Sequence, residues 1–376
     1  MKERVSIYFI FLLIITLFSK CSNFNYIKLT PEIKFSIPYS SSYTKNKIRV
    51  IKNSDYFYQI PDKYIIKDNI LYLVDKFNFR ILLINKNNKI IKRINFSTNK
   101  IEFPFIYTDT NYYNLSYILK KDREKLFEFL WGGNLKLDKN NNIYIENILT
   151  DKDEEHKVNN YSIILKFNFT GTPEKIISLK ENKDKIFPFV NLENFDFDKK
   201  NRLFVFLKYD ENWRVLRYNI TNNNAFEFNL NNFLTNISKG KDEKVIIENI
   251  DFTANGKSLI ISINKFKNNN QYEKTIFYIL NEDGHFKKLF NNKFMEYNFL
   301  GVSYNDLIYL GTTLETKNEK ERIIFKILNM SGKTVINKLI ELNRKNAKWF
   351  NISLQKDNLI SGINLKANKF NVVVWK

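Results

Sequence analysis

Cysteine and histidine are scarce in this chain of 376 residues, which has one cysteine, Cys21, and two histidines, His156 and His285. A single cysteine excludes an intrachain disulfide framework and a cysteine-rich metal site. Two histidines leave no realistic histidine-based zinc site, and both lie in hydrophilic stretches that do not favour a buried catalytic base. There are only ten glycines and no glycine-rich phosphate loop. The sequence therefore predicts a protein that is not an enzyme and that uses no cofactor.

Acidic residues are also outnumbered, because 60 Lys and Arg residues stand against 40 Asp and Glu residues, for a net charge of +20. The lysines are scattered among asparagines, which is typical of a solvated surface, and their excess would also suit an anionic partner. Apolar residues are plentiful: they make up 44% of the chain and include 34 Phe and 21 Tyr. This composition excludes a disordered chain because it can bury a large core.

The amino terminus has the pattern of a secretory signal. Lys2 and Arg4 precede an apolar run over residues 5–18, which is shorter than the roughly 20 residues that a transmembrane helix needs. Residues 17–21, Leu-Phe-Ser-Lys-Cys, resemble the lipobox of spirochaetal-type bacterial lipoproteins. That resemblance implies cleavage before Cys21 and acylation of the new amino-terminal cysteine. The alternative is an uncleaved membrane anchor in which Cys21 has no role.

A repeated unit occupies most of the remaining chain. An apolar strand that ends in Asn and is followed by a polar turn occurs at Arg80–Asn85, Ile163–Asn168, Arg214–Asn219, Thr275–Asn281 and Arg322–Asn329. A second strand–turn–strand element occurs six times, beginning at Tyr64, Leu135, Phe195, Ile250, Leu300 and Ile352. Asn and Gly tolerate the positive φ that such turns require. Six four-stranded antiparallel meanders predict an all-β, six-bladed β-propeller, with five or seven blades as the alternatives.

The repeats also predict how the chain is divided. We assign residues 1–20 to a signal peptide, 21–45 to a spacer and 46–376 to the propeller. The last unit has only three strands, so an amino-terminal strand such as Lys47–Ile51 is predicted to supply the fourth and close the ring. Residues 96–130 do not fit the period, and we expect a partly helical insertion that either caps the channel or docks a partner.

The first unit resembles the NHL repeat family of propellers. Asp75, Asn78 and Arg80 match that family's pattern of strand, Asp, Asn-x-Arg and strand, and Asn212 and Arg214 repeat the Asn-x-Arg core in the third unit. The resemblance implies that the Asp and the Arg tie neighbouring strands of one blade together. These residues are therefore expected to be structural.

Polar residues recur at the inner strands of several units. Because inner strands border the channel of a propeller, these side chains are weak candidates for an ion or ligand site, as in the calcium-dependent lactonase propellers. They are Asn134, Asn194, Asp196, Asn249, Asp251 and Asn351. The competing interpretation is that Asn and Asp cap strand ends by bonding to nearby backbone. We expect no catalytic residue and no required metal.

These observations predict a lipid-anchored, extracytoplasmic protein at the outer membrane, on its periplasmic face or at the cell surface. We expect a monomeric propeller that binds a protein partner on one face and does not bind nucleic acid. By analogy of fold alone, an accessory role in outer-membrane assembly is one form of this function. The alternatives are an adhesin for anionic host glycans and, less favoured, a calcium-dependent propeller hydrolase.

Overall fold

A computed structural model describes most of the chain. The described residues are 26–42, 44–52, 58–78, 80–95, 132–149, 161–182, 185–209, 211–220, 224–238, 244–267, 271–292, 297–316, 320–343, 348–366 and 368–376. They form six sheets with four antiparallel strands each, which confirms the predicted six-bladed β-propeller. Among the helices that these residues include, none has the length and apolar character needed to cross a bilayer.

The first three blades follow one another along the chain, each running from its inner to its outer strand. Blade 1 comprises β6 (Tyr64–Lys67), β7 (Ile70–Asp75), β8 (Arg80–Asn85) and β9 (Ile90–Asn95). Blade 2 comprises β10 (Gly132–Leu137), β11 (Ile143–Leu149), β12 (Tyr161–Phe167) and β13 (Pro173–Ile177). Blade 3 comprises β17 (Leu192–Phe197), β18 (Leu203–Tyr209), β19 (Asn212–Asn219) and β20 (Asn224–Glu227).

The last three blades include the longest strands. Blade 4 comprises β21 (Lys244–Phe252), β22 (Ser258–Phe266), β23 (Tyr272–Asn281) and β24 (Phe286–Asn292). Blade 5 comprises β25 (Asn298–Val302), β26 (Ile308–Thr316), β27 (Lys320–Leu328) and β28 (Thr334–Asn343). Blade 6 comprises β29 (Lys348–Leu354), β30 (Ile360–Lys366), β31 (Lys369–Trp375) and, from the amino-terminal region, β2 (Pro31–Ser40).

Shorter elements are added to this ring. Two of them extend sheets as parallel outer strands: β1 (Tyr26–Lys28) pairs with β28, and β3 (Ile48–Arg49) pairs with β2. Further pieces are the hairpins β4 (Ile51–Lys52)–β5 (Tyr58–Gln59) and β14 (Lys180–Asn182)–β15 (Lys185–Phe187), the strand β16 (Phe189–Val190), the 3-10 helix η1 (Lys76–Asn78) and the helix α1 (Leu230–Ile237). Asn229 caps α1 by accepting a hydrogen bond from the backbone N–H of Asn232.

The turns explain why Asn and Gly recur in the sequence. The turn between the first and second strands contains a left-handed residue in every blade: Asp68 and Asn69, then Asn141, Asn201, Gly256, Asp306 and Asn358. The turn between the third and fourth strands has Asn88, Gly171, Gly284 or Gly332 in the same conformation. The Asn that ends the third strand closes this turn; Asn329 Oδ1, for example, accepts bonds from the N–H groups of Ser331 and Lys333.

The hydrophobic core lies between the blades. Each of the six interfaces between adjacent blades holds one cluster of buried side chains. In the interface between blades 3 and 4, the rings of Phe204 and Phe252 stack with centroids 4.3 Å apart. Phe233 of α1 packs against the same cluster. Because every blade contributes to two interfaces, the ring must close before all of this surface is buried.

The strand that closes the ring is not the one predicted. β2 (Pro31–Ser40) pairs antiparallel with β31, whereas Ile48 and Arg49 only extend the outer edge of β2. Closure of the ring by an amino-terminal strand is therefore confirmed, but the strand is β2 and not Lys47–Ile51. The residues assigned to a spacer over 21–45 include β1 and β2. The physical reason is that Phe35 and Ile37 bury their side chains between blades 6 and 1, and a two-residue strand cannot supply that area.

The two ends of the blades differ, and we name them by their residues. The turn face carries the turns of the meanders, at 68–69, 86–89, 138–142, 168–172, 198–202, 253–257, 281–285, 303–307, 329–333 and 355–359. The loop face is the opposite end and carries the described connections 41–63, 178–191 and 228–238. The hairpins β4–β5 and β14–β15 and the helix α1 all lie in these connections.

Candidate functional site

The inner strands of all six blades surround a central channel. A cavity of about 570 Å³ is lined by residues of β6, β10, β17, β21, β25 and β29 and by the turns that follow them. Within the described part of the chain, no group of three or more His, Cys, Asp or Glu side chains is arranged to hold a metal ion. The polar groups of the channel instead contact one another and the backbone of neighbouring blades, as follows.

Three of the recurring asparagines join one blade to the next. The side-chain amide of Asn134 donates to Glu193 O at 3.2 Å, and that of Asn249 donates to Phe299 O at 3.3 Å. Asn351 donates in the same way to Asp62 O. A β-bulge near each asparagine interrupts the register of β10, β21 and β29, and bulges re-aim side chains. These three side chains therefore bond to backbone, as the second interpretation expects, but the backbone they bond to belongs to the neighbouring blade. Asn194 makes no such bond among the described residues.

The two aspartates of the candidate set form ion pairs across blades. Asp196 of blade 3 accepts a hydrogen bond from Lys136 Nζ of blade 2 at 2.7 Å. Asp251 of blade 4 pairs with Lys356 of blade 6, and its other oxygen accepts the N–H of Val302 at 2.6 Å. Both carboxylates are therefore engaged by cations and are not held open toward the channel.

Glycine at position 301 makes the second ion pair possible. Gly301 has φ +142°, and a Cβ atom there would lie 2.8 Å from Oδ2 of Asp251. Lys356 reaches past blade 5 to Asp251, donates to Val302 O at 2.8 Å and lies 4.1 Å from the centroid of the Phe252 ring. One lysine thus fastens blades 4, 5 and 6.

Tyr304 spans the channel at the turn face. Its hydroxyl donates to Phe197 O of blade 3 at 2.8 Å, although the residue belongs to the turn of blade 5. Burial, and then the charges of Asp196 and Asp198, raise the pKa of the Tyr304 phenol, so it stays protonated. The side chain therefore links blade 5 to blade 3 through its hydroxyl group and does not act as a base.

Other carboxylates near the channel are used by their own turns. Asp138 and Asp198 are 2% and 3% exposed. Asp138 Oδ1 accepts the N–H groups of Asn140 and Asn142, and Asp198 Oδ1 accepts those of Lys200 and Arg202. Both are Asx turns, which fix the backbone locally.

Glu146, in β11 of blade 2, is also buried and is 4% exposed. Its carboxylate accepts bonds from the backbone and side-chain N–H groups of Asn134, at 2.9 and 3.0 Å, and from Ser162 Oγ at 2.8 Å. Burial nevertheless raises the pKa of Glu146 above its ordinary value of 4.5. The folded state therefore binds the proton more tightly than the unfolded state does.

A pH dependence follows for Glu146. Its contribution to stability is fully present below the unfolded pKa and is lost as pH rises through the folded pKa. We expect Glu146→Gln, measured by chemical denaturation, to gain stability relative to the parent between mildly acidic and neutral pH. Ser331→Ala, a change in an exposed turn, should track the parent. A parent that gains stability over Glu146→Gln in the same window would contradict this assignment.

The NHL-like residues of the first unit form a buried cluster. Asp75 and Arg80 are 0% and 1% exposed and are partners across β7 and β8. Arg80 Nε donates to Asp75 Oδ2 at 2.8 Å, and the Asn78 amide donates to the same oxygen at 2.8 Å. The Arg80 guanidinium also donates to the carbonyl groups of residues 44, 45 and 47. The pair therefore ties two strands together and also holds the segment that links blade 6 to blade 1.

The matching residues of the third unit have different surroundings. Arg214 makes a bidentate pair with Glu227 on the adjacent β20, at 2.8 and 2.9 Å. Both side chains are about half exposed, at 51% and 46%. Asn212 is exposed and pairs with Tyr209 in the ladder. The two arginines match the same sequence pattern, but Arg80 is buried in the fold whereas Arg214 lies at the surface.

Several predicted features lie outside the described residues: Cys21, the signal peptide, His156 and the insertion over 96–130. His285 is described and lies in an exposed turn of blade 4. Four residues that make contacts between or within blades at the channel were not identified from the sequence: Lys136, Lys356, Tyr304 and Glu146. The only sequence signal for them is a charged or polar residue within or just after an apolar inner-strand segment. The abundance of Lys and Asn in the chain obscures that signal.

Comparisons with known proteins identify similar solved structures but no family. No family model matches the sequence, and no curated protein matches it. Similar solved structures include a member of the DUF4221 family from Bacteroides vulgatus, with 10% identity, a TM-score of 0.43 and coverage of 93% of this chain and 97% of that one. A gluconolactonase from Xanthomonas campestris has 6% identity, a TM-score of 0.38 and coverage of 93% and 99%. The β-propeller domain of the trilobed protease from Pyrococcus furiosus has 12% identity, a TM-score of 0.35 and coverage of 65% and 80%.

Proposed function

We propose that this chain is a non-catalytic binding propeller, attached to the outer membrane on its extracytoplasmic side through acylated Cys21, and that it docks a protein partner on its loop face. The channel supports a binding role, because Asp196 and Asp251, which could otherwise act in acid–base chemistry, are engaged in blade-to-blade ion pairs. The loop face supports docking, because the described hairpins and α1 are concentrated there.

The observation that carries the proposal is a groove between blades 5 and 6 whose lining combines apolar side chains with polar ones such as Asn298 and Glu321. Its volume is about 570 Å³, and its walls include Leu300, Ile323, Trp349 and Phe350. Leu300 is 44% exposed although it stands in an inner strand. Tryptophan is enriched among the residues that contribute most to binding at protein interfaces, and the neighbouring leucine and phenylalanine can contact a partner's apolar side chain.

Charge substitutions in and beside this groove test the proposal. Leu300→Asp and Leu314→Asp place a carboxylate on two leucines that are 44% and 41% exposed. A charge in a desolvated contact costs several kcal/mol, so we expect at least a tenfold loss of captured partner. The measurement is affinity purification of tagged full-length chain from detergent-solubilised membranes, with quantification of the co-purifying proteins.

Ile91→Asp is the matched control. Ile91 is 52% exposed on the outer strand of blade 1, away from the groove, and this variant should capture the partner as the parent does. Equal capture by the groove variants and the parent would contradict docking at the groove. Turnover of a lactone or ester that is lost with Asp251→Asn would contradict the non-catalytic assignment.

A further inference from the structure

The direction of β1 shows from which side the amino-terminal segment arrives. β1 pairs in parallel with β28, and Tyr26 lies opposite Asn337 while Lys28 lies opposite Leu339. β28 begins directly after the turn 329–333 and runs away from the turn face. The amino-terminal end of β1 therefore points toward the turn face, at the rim of blade 5.

The distance from Tyr26 to Cys21 is short. Five residues span at most about 18 Å even when fully extended. If Cys21 carries the lipid, the rim of blade 5 at the turn face cannot be far from the bilayer. The turn face is then the side of the propeller that is nearest to the lipid headgroups.

The turn face carries an excess of exposed lysine. Seven lysines in these turns are exposed: Lys86, Lys89, Lys139, Lys199, Lys200, Lys257 and Lys333. The exposed carboxylates in the same turns are Asp68, Glu282, Asp283 and Asp357, and Glu282 is already paired with Arg217. Positive charge thus dominates the part of this face that the structure describes.

Four of these lysines lie in the first turns of blades 2, 3 and 4, and we name them the lysine arc: Lys139, Lys199, Lys200 and Lys257. Lys139 and Lys199 also line the channel cavity. The four ammonium groups make no ion pair with other described residues. The nearest acids in sequence, Asp138 and Asp198, point inward and cap their own turns. The aspartate side chains of these turns are therefore buried, whereas the lysine side chains are exposed at the surface.

An exposed aromatic side chain lies on the same face. Phe169 stands in the turn between β12 and β13 of blade 2 and is 64% exposed. Lysines together with an aromatic ring are the composition that binds at the headgroup level of a bilayer. A sulfated glycan would also suit the lysines, but the short distance to Cys21 favours the lipid surface.

We infer that the turn face, through the lysine arc and Phe169, lies against anionic phospholipid headgroups of the membrane that holds the chain. This inference rests on the proposed function, since it needs the anchor at Cys21. It assigns the exposed lysines of the turn face to the lipid surface, gives the propeller a fixed orientation and directs the loop face, with its groove, away from the bilayer.

The single cysteine of the chain allows a direct test. Acylation of Cys21 removes its thiol, so Asn140→Cys on the turn face, or Lys369→Cys on the loop face, becomes the one site for a thiol-reactive fluorophore. Each full-length lipidated variant is reconstituted into vesicles that carry a headgroup-attached nitroxide quencher. The vesicles are made of phosphatidylcholine alone or of an equal mixture with phosphatidylglycerol.

We expect the label at position 140, and not the label at 369, to be quenched in the anionic vesicles. Salt of about 1 M should remove the difference, because the Debye length falls to about 3 Å. Each lysine near an anionic surface contributes about fivefold in affinity, so changing the four residues of the lysine arc to Gln should also remove it. The matched control changes four exposed loop-face lysines to Gln, at Lys45, Lys47, Lys267 and Lys366, and should leave the quenching unchanged.

Flotation of the vesicles tests the membrane anchor separately from the orientation of the propeller. If the parent chain does not float with the vesicles, the anchor fails and the inference falls with it. If it floats but the label at 369 is quenched as strongly as the label at 140, the orientation is wrong and the anchor stands. If the arc variant loses heparin binding but keeps its quenching in anionic vesicles, the arc is a glycan surface and the lipid assignment is overturned.

Discussion

Replacing Arg80 with methionine is expected to lower the free energy of unfolding by about 3–5 kcal/mol, which is the usual cost of removing one partner of a buried ion pair. The variant leaves Asp75 without its cationic partner at a site with no exposed surface. It also leaves the carbonyl groups of residues 44, 45 and 47 without the guanidinium that binds them. Urea denaturation of the variant and the parent measures the difference.

Arg214→Met is the control for that experiment, since it removes the same side chain from a bidentate but exposed pair. Exposed pairs contribute roughly 1 kcal/mol or less, and Arg214 and Glu227 are 51% and 46% exposed. If Arg214→Met lowers the free energy of unfolding as much as Arg80→Met does, burial does not determine how much each ion pair contributes to stability. Asp75→Asn combined with Arg80→Met should cost less than the two single changes added together, because no lone charge is then buried.

The strand pattern and the turns were predictable from the sequence because they depend on local chemistry. A strand that ends in Asn and is followed by Gly or Asn needs only its own residues to form the turn, as Asn329 and Gly332 show. Repetition of that pattern then fixes the number of blades. The helix Leu230–Ile237 was missed, although Asn229 is a favourable N-cap and the apolar residues of the segment have helical spacing.

Contacts between distant residues were not predictable in this way. Lys356 and Asp251 are 105 positions apart, and Tyr304 bonds to a carbonyl group 107 positions away. Nothing local marks them as partners, since the chain has many lysines and tyrosines. The recurring asparagines were visible, but only the structure shows that Asn134, Asn249 and Asn351 bond to the next blade.

The closing strand was misjudged because Pro31 and Pro38 resemble spacer residues. Proline is tolerated on an outermost strand, where one edge of the backbone has few hydrogen-bond partners, and β2 is such a strand over most of its length. The alternation of apolar residues at Ile33, Phe35 and Ile37 was the available signal. A bulge between Ile33 and Phe35 breaks that alternation, so that Ile33 turns outward while the other two are buried.

Phe35→Ala is therefore expected to be among the most damaging single changes in the chain, with a loss of about 3–5 kcal/mol in the free energy of unfolding. Phe35 is 2% exposed and packs between blades 6 and 1. Ile33→Ala is the matched control two positions away: Ile33 is 57% exposed, and surface changes usually stay within about 0.5 kcal/mol. Denaturant unfolding of both variants, compared with the parent, gives the two values.

Hydrogen exchange extends this prediction to the whole ring. β2 and β31 join the two ends of the chain, and every interface between blades buries a cluster that needs both of its neighbours. If closure holds the ring as one cooperative unit, Phe35→Ala should raise amide exchange in distant β18 of blade 3 as well as in β31, because core amides exchange through global unfolding. Faster exchange in β31 alone would mean that blade 6 opens locally, and that the remaining five blades are stable without the strand Pro31–Ser40.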